Sequence, residues 1–536
     1  MPLASRSTWC VVLLALTLPL AFAAFTGHAW EDYYITLRAS RNLVEGNGLV
    51  FNPGDRLHTF TSPLGVLLPA LCTWIARPGH DELALWFFRV ISVAFVATGA
   101  RMAWRRSESL GVGFVGRSIV LLLLLTDSKL LDFAINGMET GILFFFALLL
   151  WSELEHPAGP RPWPLAIAFG GLMWTRPDAF ILAGALVVPH FIFRSRVVDA
   201  PKIPWSALIK GALIGGLLYV PWFAFAWWYY GTPVPHTIIA KSQLAPPVHV
   251  RDLLLLPWHT ITGENLNARF LFMPPNVIMG GWPMPVFRFA YLLSSVALFL
   301  WVARWLPVAA RRLSLSVFIG MFYFCSIVQY AWYLPPWTAL AAIALGLSID
   351  RVLTWAQSAT RSLVLTLSRV GVLLLLAVQA LILVATAWEM RQQQTLIENN
   401  HRKQIGLWLR ANASPGDTVF LEPLGYIGYF SQLKTYDYPG LSSREVVAII
   451  HSGETAITQV ITRLRPTWLV LRPGEIGNPQ FPRYAVLNEY DLVKTYDATP
   501  QIEAVKFLPG SGWLEHDAEF RVFHRRDAAP LKTSAR

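Results

Sequence analysis

The sequence is poor in charge and in cysteine. Only 14% of its 536 residues are Asp, Glu, Lys or Arg, whereas a soluble domain has about 25%. The three cysteines, Cys10, Cys72 and Cys325, all lie in apolar stretches, which indicates packed thiols rather than a disulfide framework or a metal site. The chain also lacks a G-x-x-x-x-G-K-[ST] loop and a G-x-G-x-x-G that follows a strand-like run. These absences argue against an ordinary cytosolic enzyme and against binding of a soluble nucleotide.

What the sequence has in excess is apolar residues. They make up 54% of the chain, the mean hydropathy is +0.44, and they are gathered into long runs that are typical of membrane spans. The net charge of +11 would suit a nucleic-acid partner in a soluble protein. In a polytopic membrane protein, however, excess Lys and Arg sits in the cytoplasmic loops. We therefore predict membrane lipids as partners and no nucleic acid.

The apolar runs predict about 11 membrane spans. Several are shorter than the ~20 residues that a straight span needs. The first run could instead be a signal peptide, since Ala21-Phe22-Ala23 resembles a cleavage site. The runs are residues 9–25, 84–100, 113–126, 138–151, 163–174, 179–193, 207–229, 286–301, 313–330, 337–353 and 363–388.

Basic clusters between these runs predict the orientation. The short apolar run 63–76 is interpreted as an external interfacial helix, because a span there would turn the cluster of Arg101, Arg105 and Arg106 outward. We then expect a multi-pass protein of the inner (plasma) membrane with a cytoplasmic N-terminus and an external tail. The other cytoplasmic positions are Arg161, Arg194, Arg196, Lys202, Lys210, Arg304, Arg311, Arg312, Arg351 and Arg361.

Three external segments are too long to be linkers. Two are loops, 27–81 and 231–285, within a membrane domain that spans residues 1–388. The third is the tail 389–536, which we interpret as a separate periplasmic α/β domain. Its strand-like runs are 417–421, 468–471 and 520–523, and its helix-like stretches are 395–411 and 443–451.

Two adjacent carboxylates follow the first span. Glu31 and Asp32 are costly to desolvate at a membrane surface, so they indicate a functional site. The alternative is that they only favour the start of a helix. The next stretch, 35–43, has the pattern of an amphipathic helix with Arg38 and Arg41, and a turn-rich loop then leads to His58.

This arrangement resembles the first loop of a family of bacterial membrane glycosyltransferases of GT-C fold, which includes the mycobacterial terminal arabinofuranosyltransferase. Further motifs match in order and spacing, although Glu31 stands where Asp is common and His236 where Asn is usual. The matching segments are residues 31–54 followed by T-F-T-S-P-L at 59–64, Asn136-Gly137-Met138-Glu139-Thr140, Thr175-Arg176-Pro177-Asp178-Ala179, Tyr229-Tyr230-Gly231-Thr232-Pro233-Val234-Pro235-His236-Thr237 with Lys241, and Pro415-Gly416-Asp417 with Tyr426–Ser431.

The resemblance implies an inverting glycosyltransferase that takes a sugar, such as arabinofuranose, from a polyprenyl-phosphate donor. The acceptor would be an extracytoplasmic glycan, lipid or protein. Such transfer needs a base for the acceptor hydroxyl and cations for the departing phosphate. Asp32 or Glu31 would be the base, and a divalent cation is an open alternative for holding the phosphate. The expected substrate-binding residues are Arg38, Arg41, His58, Glu139, Arg176, Asp178, His236 and Lys241.

Several of these residues have a structural alternative. Arg176 and Asp178 could form an ion pair at a helix end, Glu139 could cap a span, and Lys241 could be an exposed loop lysine. His58 and His236 could be ordinary loop histidines, and Lys129 could pair with Asp132. The tyrosines and tryptophans near these motifs fit an aromatic belt at the membrane surface.

The sequence leaves other functions open. The sugar could be mannose or aminoarabinose, and the sequence does not name the acceptor. A lipid or glycan transporter would place polar residues in broken, repeated helices at mid-bilayer, whereas here they cluster at the outer ends of spans. A glycan-binding scaffold would not need about 11 spans.

Overall fold

The computed structural model describes residues 3–193, 204–243, 249–262, 264, 269–324, 330–358, 362–477 and 482–529. Long helices form the part of the chain before residue 393, and a smaller α/β unit follows them. The sequence positions Arg194, Arg196, Lys202, Cys325 and Arg361, discussed above, lie outside the described residues.

The described helices before residue 393 alternate between long spans and short segments. Pro63–Ala76 is a helix of 14 residues, about 21 Å long, and its interfacial position stays a prediction. In chain order the helices are α1 Leu3–Thr26, α2 Glu31–Val44, α3 Pro63–Ala76, α4 Asp81–Ser109, α5 Phe114–Leu125, α6 Ser128–Ile135, α7 Thr140–Leu154, α8 Pro162–Thr175, α9 Ala179–Ile192, α10 Trp205–Tyr230, α11 His236–Ser242, α12 Val250–Thr262, α13 Met284–Phe299, α14 Val308–Phe324, α15 Pro335–Ser358 and α16 Ser362–Gln392, with 3₁₀ turns at Val277–Met279, Leu300–Val302 and Ala331–Tyr333.

Six helices in the described part of the chain are long and apolar enough to cross a membrane, or seven if α6 and α7, bent by 118°, count as one broken span. The chain is therefore a multi-pass helical membrane protein. The predicted total of 11 spans stays a prediction, because α5, α9 and similar short apolar helices are below the usual spanning length. The six segments are Thr8–Thr26, Asp81–Ser109, Trp205–Tyr230, Met284–Val302, Pro335–Ser358 and Ser362–Asn412.

The bend between α6 and α7 depends on Gly137. This residue has φ +99°, a conformation that residues with a Cβ rarely adopt, and the Tyr33 ring fills the space that a Cβ would need. Buried Arg89 fixes the same region, because it donates to the carbonyls of Ile135 at 2.8 Å and of His28 at 2.6 Å. The bend therefore packs directly under the start of the first loop.

The tail forms a five-stranded mixed sheet with the order β2-β1-β3-β5-β4. The first strand is parallel to β2 and β3, and β5 is antiparallel to β3 and β4. A π-helix, Gln393–Arg402, and α17 Lys403–Asn412 continue from α16 into this sheet. The remaining elements are β1 Thr418–Leu421, α18 Leu424–Ser431, β2 Lys434–Asp437, α19 Arg444–His451, α20 Ile457–Leu464, β3 Trp468–Leu471, 3₁₀ turns at Pro473–Glu475 and Pro482–Glu489, β4 Tyr490–Asp497, α21 Thr499–Glu503, α22 Gly512–His516 and β5 Glu519–Arg525.

The first loop is built into the tail. Ile35 of α2 and Phe51 share an apolar core with Leu421 and Ile427 of the sheet unit. The Tyr429 hydroxyl donates to Asp81 at 2.6 Å, which joins the tail to the start of α4. Burial of this shared apolar surface holds the tail against the loop that carries Glu31 and Asp32.

Candidate active site

A cavity of about 220 Å³ lies where the first loop meets the tail. It brings together three of the residues that the sequence predicts for the site, Glu31, Asp32 and Lys241. The other predicted substrate-binding residues do not line it. The polar and aromatic lining consists of Trp30, Glu31, Asp32, Lys129, Lys241, Asn276, Tyr330, Trp332, Arg402, Glu422, Tyr438, Arg472, Trp513 and His516.

Aromatic packing fixes the two carboxylates. They form the first turn of α2, which follows Trp30 in an extended conformation. The Trp30 ring stacks on Trp513 with centroids 5.7 Å apart and meets Trp332 edge-on, also at 5.7 Å. The backbone N–H of Trp30 donates to the Asn136 carbonyl at 2.8 Å. The start of α2 is thus held by the tail, by the turn before α15 and by the bend before α7.

Glu31 and Asp32 differ in their surroundings. The Gly425 backbone N–H donates to Glu31 Oε1, and the Glu31 carbonyl occupies the space that a Cβ at position 425 would need. Glycine is therefore required where the tail closes on α2. Asp32 feels the positive charge of Lys241 instead. Asp32 is thus the carboxylate that is not tied to the tail backbone.

Burial makes both carboxylates stronger bases. It raises the pKa of Glu31 well above its ordinary value, against the opposing charge of Arg402. It also raises the pKa of Asp32, against the opposing charge of Lys241. The neighbouring carboxylate of Glu422 adds to both shifts. A raised pKa is what a carboxylate needs in order to take a proton near neutral pH.

Lys241 forms no ion pair with any residue that the structure describes. Its Nζ lies 4.7 Å from the centre of the Tyr330 ring and 5.4 Å from that of Trp332. Among the described residues, no carboxylate oxygen comes within 4.0 Å of its ammonium. The aromatic rings position the charge, and the ammonium is left available for an anion.

Sequence reasoning missed two arginines in the cavity wall, Arg402 and Arg472. Both are held by Asp517, which is fully buried and contacts Arg472 Nε at 2.5 Å. Burial raises the pKa of Asp517, but the two guanidiniums outweigh it and lower the pKa to about 2. Asp517 therefore stays ionised and keeps both arginines in place.

One sequence signal could have found part of this wall. Glu422 and Arg472 each come directly after a strand, β1 and β3, and these strands are parallel neighbours. Residues at the carboxyl ends of neighbouring parallel strands lie close together and often bind ligands. Glu422 Oε2 is in fact 2.7 Å from Arg472 Nη1.

The R-P-D motif forms a separate network. Arg176 donates to Glu139 at 3.1 Å and to Asp178 at 3.1 Å, and Tyr323 donates to Asp178 at 2.6 Å. The Arg176 guanidinium also lies 4.5 Å from the centre of the Tyr333 ring. Tyr333 belongs to the same short turn as Trp332 of the cavity wall, so this network contacts that turn without lining the cavity.

The two histidines lie apart from the cavity. The His58 ring stacks on Tyr230 at 4.6 Å, and neither of its nitrogens has a hydrogen-bond partner within the described residues. Burial lowers the pKa of His58 to about 3 and also lowers that of His236. Both rings are therefore neutral. The His236 backbone N–H donates to the His58 carbonyl at 2.8 Å, and this backbone contact joins the first loop to the segment that follows α10.

Arg38 and Arg41 face the tail rather than the cavity. Arg38 donates to the carbonyls of Gly428 at 2.7 Å and of Leu433 at 2.9 Å, and its guanidinium covers the Phe51 ring. Arg41 pairs with Glu45 at 2.7 Å. The donors of Arg38 are thus committed to the tail backbone.

This position leads to a stability prediction. Arg38→Met should lower the melting temperature and expose the tail to protease, because two buried carbonyls lose a charged donor, at about 1–3 kcal/mol each. The folded fraction should keep the wild-type KM for substrate. Arg41→Met is the matched control, since it removes an exposed i,i+4 pair worth about 0.5 kcal/mol. A normal melting temperature with a raised KM would contradict this role.

The pairing expected between Lys129 and Asp132 is wrong. Lys129 instead donates to the carbonyls of Phe270 at 2.6 Å and Leu271 at 2.9 Å. Asp132 lies 2.7 Å from His28 Nδ1. The two side chains cannot meet because they leave α6 towards different neighbours.

In the part of the chain that the structure describes, no three His, Cys, Asp or Glu residues form a group that could hold a metal ion.

Comparison with known proteins gives two relatives of this chain and a family model that matches its tail. The chain is 30% identical over 231 residues to the terminal beta-(1->2)-arabinofuranosyltransferase of Mycobacterium tuberculosis and 29% identical over 263 residues to that of Corynebacterium glutamicum. These matches cover 40% and 43% of this chain but only 34% and 36% of the relatives. The chain thus spans about a third of their length. Residues 388–523 match a family described as a domain of unknown function, DUF8728.

Solved structures share the fold across nearly the whole chain. ArnT from Cupriavidus metallidurans, solved with undecaprenyl phosphate, aligns with a TM-score of 0.56 at 13% identity, covering 98% of this chain and 100% of ArnT. The mycobacterial arabinofuranosyltransferase AftD aligns at 0.50 and 12%, covering 98% of this chain and 40% of AftD. Both are GT-C glycosyltransferases. The resemblance to terminal arabinofuranosyltransferases and to the GT-C fold, predicted from the motifs, is confirmed.

Proposed function

We propose that this protein is an inverting glycosyltransferase that moves arabinofuranose, or a closely related sugar, from a polyprenyl-phosphate donor to an extracytoplasmic glycan, lipid or protein. The observation that carries the proposal is the lining of the cavity. Asp32 and Glu31 share this lining with three cations, Lys241, Arg402 and Arg472, and with several aromatic rings. The named relatives are arabinofuranosyltransferases, and the fold is that of a protein solved with a lipid phosphate.

Asp32 is the proposed base. It takes the proton of the acceptor hydroxyl while the acceptor oxygen attacks the anomeric carbon, and the bond from that carbon to the phosphate oxygen breaks. The new glycosidic bond forms on the opposite face of the ring, so the configuration inverts. Asp32 then releases its proton to water. A positioned base of this kind contributes about 10²–10⁴-fold in rate.

Lys241 and the two arginines are the proposed phosphate partners. The departing lipid phosphate gains negative charge as its bond to the sugar breaks, and fixed cations in a partly dry cavity stabilise that charge. Lys241 is available because its ammonium lies against two aromatic rings and forms no ion pair within 4.0 Å among the described residues. Arg402 is held ready by Asp517 and Glu398. This set replaces Arg38 and Arg41 as the leading candidates.

The aromatic rings and Glu422 are proposed to bind the sugars. Trp332, Trp513 and Tyr438 line the cavity and offer apolar faces to sugar rings, while Glu422 can accept hydrogen bonds from their hydroxyls. Glu422 and Trp513 come from the tail. The division into a membrane domain, 1–388, and a periplasmic domain, 389–536, then places the active site at their junction.

A transfer assay with purified full-length protein tests the proposal. The donors are polyprenyl phosphates that carry arabinofuranose, mannose or aminoarabinose, and the acceptor is an arabinan oligosaccharide. We expect one added pentose, in inverted configuration by NMR, from the arabinofuranose donor alone. Transfer only from the mannose or aminoarabinose donor would replace the proposed sugar, and no transfer from any lipid donor would refute the proposed reaction.

The proposed topology puts the cavity and the tail on the external side of the membrane. In a cysteine-free background, Ser452→Cys in the tail should react with a membrane-impermeant maleimide in intact spheroplasts. Ser358→Cys, at the far end of α15, should react only after lysis. Both side chains are exposed, so access alone decides the outcome. The reverse pattern would mean that the protein is inserted with the tail in the cytoplasm.

A further inference from the structure

The end of the helix bundle opposite the tail carries two apolar grooves that share a pair of arginines. Helix α4 begins at Asp81, which accepts the hydrogen bond from Tyr429 of the tail. Arg101 and Arg105 lie 20 or more residues further along this helix, which is about 30 Å. They are therefore far from the candidate active site.

Each groove has a volume of about 540 Å³. The first lies between α4, α7 and α8, and the second lies between α1 and α4. Arg101 and Arg105 line both grooves. The apolar side chains are Phe145, Leu149, Pro164 and Ile167 in the first groove, and Val12, Leu16, Ala94 and Ala97 in the second.

The rim of the grooves is strongly basic. Arg106 and Arg161 also line the first groove. Among the described residues, the one carboxylate that lines either groove is Glu153, paired with Arg161 at 2.6 Å. Within the described residues, Arg101 and Arg105 form no hydrogen bond and no ion pair. They stand one helical turn apart on the same face of α4, so their guanidiniums can bind one anionic group together.

Tryptophans place the grooves at the membrane surface. Trp9 lines the second groove and is 67% exposed, and Trp163, beside Pro164 of the first groove, is also 67% exposed. Tryptophan rings favour the boundary between headgroups and hydrocarbon. The arginines thus lie at headgroup level, and the grooves run from them along the apolar part of the bundle.

We propose that this surface binds one anionic phospholipid, with the phosphate on Arg101 and Arg105 and one acyl chain in each groove. Arginine binds phosphate oxygens in bidentate fashion, and basic pockets between transmembrane helices recognise anionic headgroups. A small soluble anion would use the arginines but leave both grooves unfilled. A zwitterionic lipid would fill the grooves but offer less negative charge.

Native mass spectrometry of the delipidated full-length protein tests this proposal, with phosphatidylglycerol and phosphatidylcholine as probes. Wild type should bind one phosphatidylglycerol molecule in preference to phosphatidylcholine. Arg101→Gln with Arg105→Gln should weaken this binding roughly 30-fold, because both guanidiniums that hold the phosphate are removed. The control is Lys210→Gln with Arg304→Gln, which removes two exposed charges at the same end of the bundle, and it should bind like wild type.

Three outcomes would overturn the proposal. Equal binding of the two lipids would mean that the grooves accept any acyl chain. An equal loss in both double variants would mean that bulk charge, not this pair of arginines, attracts the lipid. Displacement of phosphatidylglycerol by millimolar inorganic phosphate would mean that the arginines form a site for a free anion. If the double variant is unstable, exposed Arg105→Gln alone decides, with a smaller but specific loss expected.

Discussion

Asp32→Asn is expected to lower kcat for sugar transfer by about 10²–10⁴-fold. The amide keeps the shape of the side chain but cannot take the proton of the acceptor hydroxyl. Binding of the lipid donor should persist, because the cations that we propose for its phosphate are untouched. Single-turnover transfer and equilibrium donor binding, measured on the same purified variant, separate these two effects.

Glu31→Gln is the matched control for this prediction. Glu31 also lines the cavity, but its Oε1 accepts the Gly425 N–H, an interaction that an amide oxygen can still make. We expect a much smaller loss, within about 10-fold. If Glu31→Gln is inactive while Asp32→Asn is active, the two roles are exchanged. If both variants keep wild-type activity, neither carboxylate is the base.

The pH dependence should identify the same carboxylate. A base works when it is deprotonated, so kcat/KM should fall as the pH drops through its pKa. Burial raises the pKa of Asp32, so the fall should begin at a higher pH than the value of about 4 of a free aspartate. The residual activity of the Asp32→Asn variant should not show this fall of kcat/KM at low pH.

Lys241→Met is expected to lower kcat/KM for the lipid donor by about 10²–10³-fold, the usual cost of removing one donor that stabilises transition-state charge. Methionine keeps most of the length and the apolar stem, so the rings of Tyr330 and Trp332 remain packed. The loss should appear both in donor binding and in kcat, because the phosphate carries charge before and during bond cleavage. Lys434→Met, at an exposed pair in the tail, is the control.

The result for Lys241 can also change which cation is assigned to the donor phosphate. If Lys241→Met stays within a factor of three of wild type while Arg472→Met is inactive, the phosphate lies on the tail side of the cavity. If neither substitution affects donor binding, the cavity does not hold the donor phosphate. Thermal melting of each variant shows whether it is folded.

The part of the site that could be predicted from sequence is local. Glu31 and Asp32 stand next to the first span, and Lys241 follows a run of motif residues, so their chemistry is visible within a few positions. Their residue types also indicate a functional role, because a carboxylate at a membrane surface costs free energy to desolvate and is seldom found without a function. The same reasoning predicts a short helix at Pro63–Ala76 and the strands at 468–471 and 520–523.

The rest of the site depends on contacts between distant parts of the chain. Arg402 and Arg472 reach the cavity only because the sheet unit docks on α2, and Asp517 orients them from near the end of the chain. Conversely, Arg38 looks like a phosphate ligand in the sequence, but docking turns it towards the Gly428 carbonyl. Burial, not residue type, decides which charged side chains remain available.

The number of spans could not be predicted from apolar runs alone. α5, α8 and α9 have 12 to 14 residues, about 18–21 Å in length, less than the hydrocarbon core of about 30 Å. Such helices can be tilted, paired end to end as α6 and α7 are, or packed inside the bundle. Hydropathy does not distinguish these arrangements.

Mass spectrometry of envelope glycans from a deletion strain tests the central claim most directly, that the Asp32 cavity transfers a sugar to an extracytoplasmic acceptor. We predict that deletion removes a terminal pentose from one glycan class. Wild-type protein should restore this pentose, and Asp32→Asn, expressed at the same level, should not. Unchanged glycans in the deletion strain, or full restoration by Asp32→Asn, would contradict the account.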